Sequence, residues 1–354
     1  MNYEHFTPVI GGVQKDIFLV NMTQELEHHF SHLMIKWIEK YLNQGKKIAI
    51  IVNKKWYSNG LLCTDCGQVP QCKRCSVSIS YHKLPSGDMT WLCHICKTQY
   101  TYPTSCPKCK SKNIAPFGMW TEKVAEFLKQ EFGTESVIVE SATANSVNKI
   151  GRIFEQLKEK NGKFPIIIGT SLLTMPIKNY PFDLVVFLNA DLGLNIPDYN
   201  ASEKNFYLLY EAFLKHSTQN FIVQSFNPDH YSIRSACKLD KDGFFEQEYA
   251  FRKSFGYPPS KELCVILYKN EIEEKMFNKV DTLHKELLYL KEKYKIDDLE
   301  IYSTPPLIYK MFGKYRYNII LKWSQLKNFM DIVYSKLHLA SKWFKIDRKA
   351  ESIV

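Results

Sequence analysis

The chain alternates short, continuously apolar runs with segments in which apolar residues return every three or four positions. Buried-strand runs lie at residues 47–52, 136–139, 165–169, 183–188 and 221–225. Helical periodicity covers residues 22–42, 121–132, 147–160 and 202–215. The residues before position 22 show only a loose pattern. Fully apolar strands that alternate with helices indicate an α/β fold with a mostly parallel, doubly wound sheet.

The last third of the chain has a different order. After a helical stretch at residues 232–255, the pattern predicts a strand at 263–268, a helix at 272–294, strands at 300–302 and 317–323, a helix at 324–343 and a closing strand at 344–347. This β-α-β-β-α-β order is typical of a ferredoxin-like α+β domain. We therefore predict an α/β domain at 1–61 and 116–231, an insertion at 62–115, and linker helices with the α+β domain at 232–354.

Eight of the ten cysteines fall into four Cys-x-x-Cys pairs inside the insertion. Two residues between cysteines let one tight turn present both sulfurs to the same metal, and two such turns complete a tetrahedral zinc site. The alternatives are an iron–sulfur cluster, whose motifs group cysteines at other spacings, and buried free thiols. We predict two Zn²⁺ ions, each with four thiolate ligands and a structural role.

The spacing between pairs indicates which pairs share a metal. Seventeen residues separate the second pair from the third, within the range of a zinc ribbon, whereas five separate the first from the second. The second and third pairs are expected to share one zinc ion, and by elimination the first and fourth share the other. The predicted ligands are Cys63, Cys66, Cys106 and Cys109 for zinc 1, and Cys72, Cys75, Cys93 and Cys96 for zinc 2.

Composition narrows the class of protein further. No apolar run approaches the roughly 18 residues of a membrane span, and residues 1–20 lack the pattern of a signal peptide. We expect a cytoplasmic protein, because thiols stay reduced there and bind metal. The formal net charge of +10 falls to about +6 when eight thiolates hold two zinc ions. This charge favours nucleic acid as a partner, although solubility alone also explains it.

Several short motifs surround the cysteines in a fixed order. Asn53-Lys54-Lys55-Trp56-Tyr57 ends the strand before them, Ile168-Gly169-Thr170 follows, and Gly313-Lys314-Tyr315-Arg316 lies in the last region. Together they resemble the C-terminal half of the bacterial replication-restart helicase family PriA, the primosomal protein N′, from about residue 20 onward. The resemblance implies a second RecA-like helicase lobe interrupted by a two-zinc insertion and followed by the family's C-terminal domain.

The sequence departs from that family in the motifs that bind and hydrolyse ATP. The sequence contains no G-x-x-x-x-G-K-[ST] motif and no Asp-Glu-x-His motif, and the family's first helicase lobe has no counterpart in it. Near residues 210–218 the family carries a Gly-Arg-x-Gly-Arg segment, but no arginine occurs between Arg152 and Arg234. Phosphoryl transfer needs a phosphate cradle, a lysine, Mg²⁺ and an arginine finger. We expect no ATPase or helicase activity from this chain alone, and no catalytic residue.

The leading hypothesis is a DNA-binding scaffold of replication restart and primosome assembly that binds single-stranded or forked DNA. The carboxyl ends of parallel strands are where such lobes bind phosphates. The candidate contacts are Lys54, Lys55, Tyr57, Thr170, Tyr315 and Arg316. Against each stands a plainer interpretation: a strand-end lysine is usually just solvated, and Gly-Thr is often only a turn.

Two alternatives remain open. In the first, the chain is one half of a split ATP-dependent helicase and works with a separate first lobe. In the second, it is a protein-interaction module that binds primosome proteins or single-strand-binding protein without touching DNA. Substitution of the strand-end lysines distinguishes the DNA-binding scaffold from the interaction module, because only the scaffold loses DNA affinity.

Overall fold

The structure is a computed structural model. It describes residues 2–25, 30–52, 60–63, 73, 80–83, 89–92, 98–101, 104–106, 109–117, 120–139, 165–176, 180–191, 193–194, 198–306, 308–337, 344–348 and 350–351. The chain divides into two compact units. The first comprises Met1–Lys55, Met119–Ile196 and Ala201–Glu246, and the second comprises Trp56–Gly118, Pro197–Asn200 and Gln247–Val354. Among the residues described, no helix is both long enough and apolar enough to cross a membrane.

The elements follow in chain order. Before the cysteines lie β1 (Tyr3–Phe6), β2 (Val9–Ile10), β3 (Val13–Gln14), β4 (Asp16–Asn21), α1 (His32–Asn43) and β5 (Ile48–Ile51). The insertion holds β6 (Gly60–Cys63), β7 (Ser80–Lys83), β8 (Met89–Leu92), β9 (Gln99–Tyr100) and β10 (Ile114–Phe117). Then come α2 (Trp120–Phe132), β11 (Ser136–Val139), β12 (Ile166–Gly169), β13 (Leu184–Phe187), α3 (Ala201–Lys215), β14 (Asn220–Ser225), α4 (Tyr231–Lys238) and α5 (Lys241–Ser254). The chain continues with β15 (Glu262–Asn270), α6 (Glu273–Lys293), β16 (Glu300–Thr304), β17 (Lys310–Met311), β18 (Lys314–Trp323), α7 (Leu326–Lys336) and β19 (Phe344–Asp347).

The first unit is built on a seven-stranded sheet in the order β1-β4-β14-β13-β5-β12-β11. Every neighbouring pair is parallel except β1 with β4. The central strands are buried on both faces: Ile48 and Ile50 share a core with residues of α1 and α2, whereas Ala49 and Ile51 share one with residues of α3 and α4. Helices on both faces of a largely parallel sheet confirm the predicted mixed α/β architecture.

The N-terminal region differs from the prediction. The stretch expected to be loose contains β1 and β4, and the helix predicted from residue 22 begins at His32. Ser31 caps this helix by accepting a hydrogen bond from the Met34 amide. Ser31 is itself held by Gln224 of β14, whose Oε1 accepts from the Ser31 amide at 2.9 Å and from its hydroxyl at 2.8 Å. A contact between residues 193 positions apart thus fixes where the helix starts.

Two predicted helices toward the C-terminus are also shorter than expected. The stretch at residues 232–255 is two helices, α4 and α5, because Leu239 adopts a left-handed conformation with φ of 56°. The helix predicted at 324–343 ends as α7 at Lys336, and residues 338–343 lie outside the described residues. The helix predicted at 147–160 also lies outside them.

The second unit contains an antiparallel sheet in its C-terminal part. Its order is β16-β18-β15-β19, and the short strand β17 pairs with the start of β18. One face packs against α6 and α7 through a core that includes Cys264, Ile266, Leu283 and Phe329. Burial raises the pKa of the Cys264 thiol to about 12, which fits a core cysteine that is not a metal ligand.

Alternating cations and rings form a stack inside the second unit. The Arg252 guanidinium lies 5.1 Å from the Tyr199 ring centroid, Tyr199 stacks on Tyr257 at 4.9 Å, and the Lys322 ammonium lies 4.6 Å from the Tyr257 ring. The Arg252 Nε donates to Glu248 Oε1 at 2.6 Å, where both side chains are buried. We call these five residues the cation–ring stack. Each cation faces the negative face of a ring, an arrangement that gains strength when water is excluded.

Candidate nucleic-acid interface

The carboxyl ends of the parallel strands form one edge of the first unit's sheet. There the Val52 amide, directly after β5, donates to Gly169 O of β12 at 2.7 Å. On the other side, the Leu188 amide after β13 donates to Ile51 O at 3.0 Å. These bonds bring together the three chain segments that leave β5, β12 and β13. This edge is where the sequence predicted the phosphate contacts.

Gly169 and Thr170 make the turn that leaves β12. A Cβ atom at Gly169 would lie 2.7 Å from the Leu173 side chain and 2.8 Å from Val139 O, so any larger residue forces the turn apart. Thr170 is buried, and its carbonyl accepts from the Leu173 amide at 2.9 Å. The close packing fixes the backbone of the predicted contact Thr170 at the sheet edge.

The predicted contacts Lys54, Lys55 and Tyr57 lie outside the described residues, which stop at Val52 before this segment. The structure gives the place from which the segment departs, next to Gly169. A contact between these side chains and DNA therefore stays a prediction.

Asp191 lies at the same edge, next to the carboxyl end of β14. Its carboxylate accepts hydrogen bonds from the Ser225 hydroxyl and the Phe226 amide, both at 2.6 Å, and from the Asn227 amide at 3.3 Å. The carboxylate is buried. Three donors from the end of β14 leave this charge compensated inside the protein, so we assign Asp191 a structural role in shaping the edge.

The end of α3 occupies the position where the resemblance leads one to expect arginines. His216 is buried, and its Nε2 lies 3.0 Å from Leu173 O. The Lys15 ammonium donates to His216 O at 2.9 Å and to Thr218 O at 2.7 Å. Burial lowers the pKa of both Lys15 and His216. The Lys15 ammonium thus points at carbonyl groups, not at solvent, and it caps the helix.

The predicted contacts Tyr315 and Arg316 lie at the start of β18. The Tyr315 hydroxyl accepts from the Lys310 ammonium at 2.9 Å, and its ring meets Tyr309 edge-on at 5.8 Å. The Arg316 amide donates to Tyr309 O at 2.8 Å, and its guanidinium reaches Ile308 O at 3.4 Å. Burial lowers the pKa of Arg316. Both side chains brace the β17–β18 hairpin, and their contact with DNA stays a prediction.

One residue of that hairpin escaped the sequence analysis. Phe312 stands at the tip between Met311 and Lys314, with its side chain exposed. The signal available was a glycine, Gly313, after an aromatic residue and between lysines, but Phe-Gly is not one of the dipeptides typical of hairpin turns.

Two antiparallel strand pairs lie inside the insertion. Cys63, the last residue of β6, lies opposite Ile114 of β10, and Ser80 of β7 lies opposite Leu92 of β8. The five cysteines from Cys66 to Cys96 lie outside the described residues, so the division of the cysteine pairs between two metal ions stays a prediction.

The fourth pair shows the turn that a zinc site needs. The Cys106 amide donates to Ser111 O at 2.8 Å, and the Lys110 amide donates to Cys106 O at 3.0 Å. Lys110 has a positive φ of 62°, which turns the chain back after Cys109. Soft thiolates at Cys-x-x-Cys spacing on such turns fit zinc.

The described residues contain no group of three or more potential metal ligands. Five predicted ligands lie outside those residues, namely Cys66, Cys72, Cys75, Cys93 and Cys96, and for Cys63 the structure describes only the backbone. Zinc binding therefore stays a prediction.

Several curated relatives of the chain are replication restart proteins. The chain is 29% identical to the replication restart protein PriA of Bacillus subtilis over 88% of its own length, 28% identical to PriA of Chlamydia pneumoniae over 96%, and 27% identical to PriA of Borreliella burgdorferi over 96%. The chain resembles a C-terminal portion of PriA. It spans 39%, 45% and 51% of the length of these three relatives, respectively. No family model matches the chain.

Proposed function

We propose that the chain is a zinc-containing, DNA-binding protein of replication restart that hydrolyses no ATP by itself and works in the cytoplasm. The observation that carries this proposal is the similarity to replication restart proteins over about nine-tenths of the chain. Single-stranded or forked DNA is the proposed partner. Primosome proteins or single-strand-binding protein are proposed as further partners.

The parallel sheet of the first unit supports a RecA-like lobe. Its strands end together at one edge, where the turn at Gly169–Thr170 packs closely against Leu173 and Val139. In the sequence, Lys54 and Lys55 follow the end of β5 by only a few residues. Backbone amides and lysines at strand ends position a nucleic-acid strand through its phosphates, without reading the bases.

The cysteine pairs of the insertion are the basis for proposing two structural zinc ions. Zinc 1 would be held by Cys63, Cys66, Cys106 and Cys109, and zinc 2 by Cys72, Cys75, Cys93 and Cys96. Zinc supplies no open coordination position when four thiolates bind it, so it would fix the turns and take no part in a reaction. The strand registers of β6–β10 and β7–β8 support this division of the ligands.

The C-terminal part of the second unit supports a ferredoxin-like domain. The order β16-β18-β15-β19 with α6 and α7 on one face is the order such domains adopt. We propose that this domain offers a second DNA contact, at the β17–β18 hairpin that holds Tyr315 and Arg316.

The proposal that the chain hydrolyses no ATP rests on the sequence and on the contacts at the end of α3. No arginine lies between Arg152 and Arg234, and the helix end is capped by the buried Lys15. An arginine finger alone contributes about 10³–10⁵ in rate. A separate first lobe therefore does not restore hydrolysis unless it also brings an arginine.

DNA binding is tested by titrating the zinc-loaded protein with fluorescein-labelled oligothymidylate at several salt concentrations. With about three to five phosphate contacts, log affinity should fall with log salt at a slope of roughly −2 to −3.5. Lys54→Ala with Lys55→Ala should make that slope shallower by about 1.4, which is about 0.7 for each of the two phosphate contacts. The matched control replaces Lys285 and Lys293, two exposed lysines of α6, and should leave the slope unchanged.

The result also separates the alternatives. No binding at low salt by folded protein contradicts the proposal and favours the protein-interaction module. ATP hydrolysis in the presence of DNA, by preparations that retain it through successive purification steps, contradicts the non-hydrolysing scaffold.

A further inference from the structure

The β17–β18 hairpin carries an exposed aromatic ring at its tip. Met311 pairs with Lys314, so the loop consists of Phe312 and Gly313 alone. Both loop residues have positive φ, 51° for Phe312 and 78° for Gly313, as in a type I′ turn. The Phe312 side chain is 55% exposed, among the most exposed large apolar side chains of the described residues.

The conformation of Phe312 is unfavourable for its residue type. A bulky side chain in the left-handed region is a steric outlier, whereas asparagine adopts it readily and is the usual residue at this turn position. Neither burial nor turn propensity therefore accounts for a phenylalanine here. A residue that is both strained and exposed points to a function for its side chain.

The base of the hairpin contains two tyrosine rings and a lysine in contact with one another. Tyr309 and Tyr315 meet edge-on at the base of the hairpin, and the Lys310 ammonium lies 4.1 Å from the Tyr315 ring centroid. Lys314 follows the tip directly. A ring between two lysines on a braced turn has the composition of a stacking platform for single-stranded nucleic acid.

Two acidic side chains stand nearby, and both have partners. The Tyr309 hydroxyl donates to Glu273, and Glu271 lies 3.7 Å from the Lys314 ammonium in an exposed ion pair. An exposed pair of that length contributes little, so a phosphate competes with Glu271 for Lys314.

We propose that Phe312 stacks on an unpaired base of single-stranded DNA while Lys310 and Lys314 contact the flanking phosphates. The inference rests on the DNA-binding function proposed above and adds the site and the type of contact. Tyr315 then braces the hairpin from below and does not itself stack on a base.

The decisive variant is Phe312→Asn in the full-length, zinc-loaded protein. Asparagine relieves the turn, so the melting temperature should stay equal or rise by about 2–4 °C. Loss of one stacked base should weaken binding to labelled oligothymidylate about 5- to 150-fold. Phe312→Trp should retain the affinity. Tyr289→Ala removes another exposed ring of the second unit, outside the hairpin, and should leave affinity unchanged.

Two further measurements identify the contact. Lys314→Ala should make the salt slope shallower by about 0.7, the value for one phosphate on a single strand. An oligonucleotide carrying 5-iodouracil, irradiated with long-wave ultraviolet light, should cross-link to the peptide that contains Phe312.

The outcomes separate this inference from the proposed function. If the wild-type protein binds DNA and Phe312→Asn binds equally well, the stacking inference is wrong and the proposed function stands. A wild-type protein that binds no DNA overturns both. A Phe312→Asn protein that melts at a lower temperature contradicts the strain argument and indicates that the ring packs within the fold.

Discussion

The buried pair Glu248–Arg252 gives the sharpest test of the energetics. Its Nε–Oε1 distance is 2.6 Å, and its side chains are 3% and 11% exposed. Asp281 and Lys285 on α6 have the same four-residue spacing and the same 2.6 Å distance, but their side chains are 60% and 73% exposed. The two pairs share spacing and distance and differ strongly in burial, so their comparison tests how burial changes the contribution of an ion pair to stability.

The expected magnitudes follow from that difference. Glu248→Ala leaves the Arg252 charge buried beside the Tyr199 ring without its carboxylate, which should lower the free energy of unfolding by about 3–5 kcal/mol. Asp281→Ala should cost about 0.3–0.5 kcal/mol, as is usual for an exposed helix pair. Urea denaturation followed by circular dichroism measures both variants. Equal losses at the two sites would refute the argument from burial.

A double-mutant cycle separates the pair from its surroundings. Glu248→Ala with Arg252→Ala removes both charges, so the combined loss should be smaller than the two single losses together by about 0.5–3 kcal/mol. Strict additivity would mean that the stability comes from packing of the Arg252 stem and not from its charge.

The remaining predictions concern metal, pH and the sheet edge. Purified protein should carry two zinc ions per chain by elemental analysis, and Cys72→Ser should lose one of them; iron, or a single zinc in the wild type, would contradict the ligand division. Because burial lowers the pKa of His216 in the folded state, the unfolded chain binds a proton first, so stability should fall as pH drops below about 6.5. His216→Gln should make urea midpoints less sensitive to pH in that range. Gly169→Ala should lower the melting temperature, since its methyl group meets Leu173 and Val139 O. Gly133→Ala places its methyl group in open space, so its loss reports only the cost of an alanine at a φ of 62°.

The parallel sheet was predictable because its strands are buried on both faces and therefore read as unbroken apolar runs. Residues 48–51, 166–169 and 184–187 fall inside the runs identified from the sequence. The start of α1 was not predictable, because Gln224 fixes Ser31 across the sheet and local periodicity carries no trace of such a contact. β1 and β4 were missed for a related reason: β4 gains its place by pairing with β14, about two hundred residues later.

Of the candidate site residues, too, some could be placed from the sequence and others could not. The position of Thr170 at the sheet edge was predictable because a Gly-Thr step directly follows a buried strand. Phe312 was missed because its distinguishing feature is a backbone angle, and a sequence does not display φ. Tyr315 and Arg316 stood out by their residue types, but their partners on Lys310 and Ile308 become visible only when β17 folds against β18.

The pairing of β6 with β10 and of β7 with β8 nests one loop of chain inside another. In the ligand division that we propose, the inner site is complete once residue 96 has left the ribosome, whereas the outer site waits for residue 109. Zinc 2 would then load first and shorten the loop that zinc 1 must close, which reduces the entropy lost at the second step. The order of metal loading would thus follow from the order of synthesis, and the inner hairpin would serve as the template on which the outer site assembles.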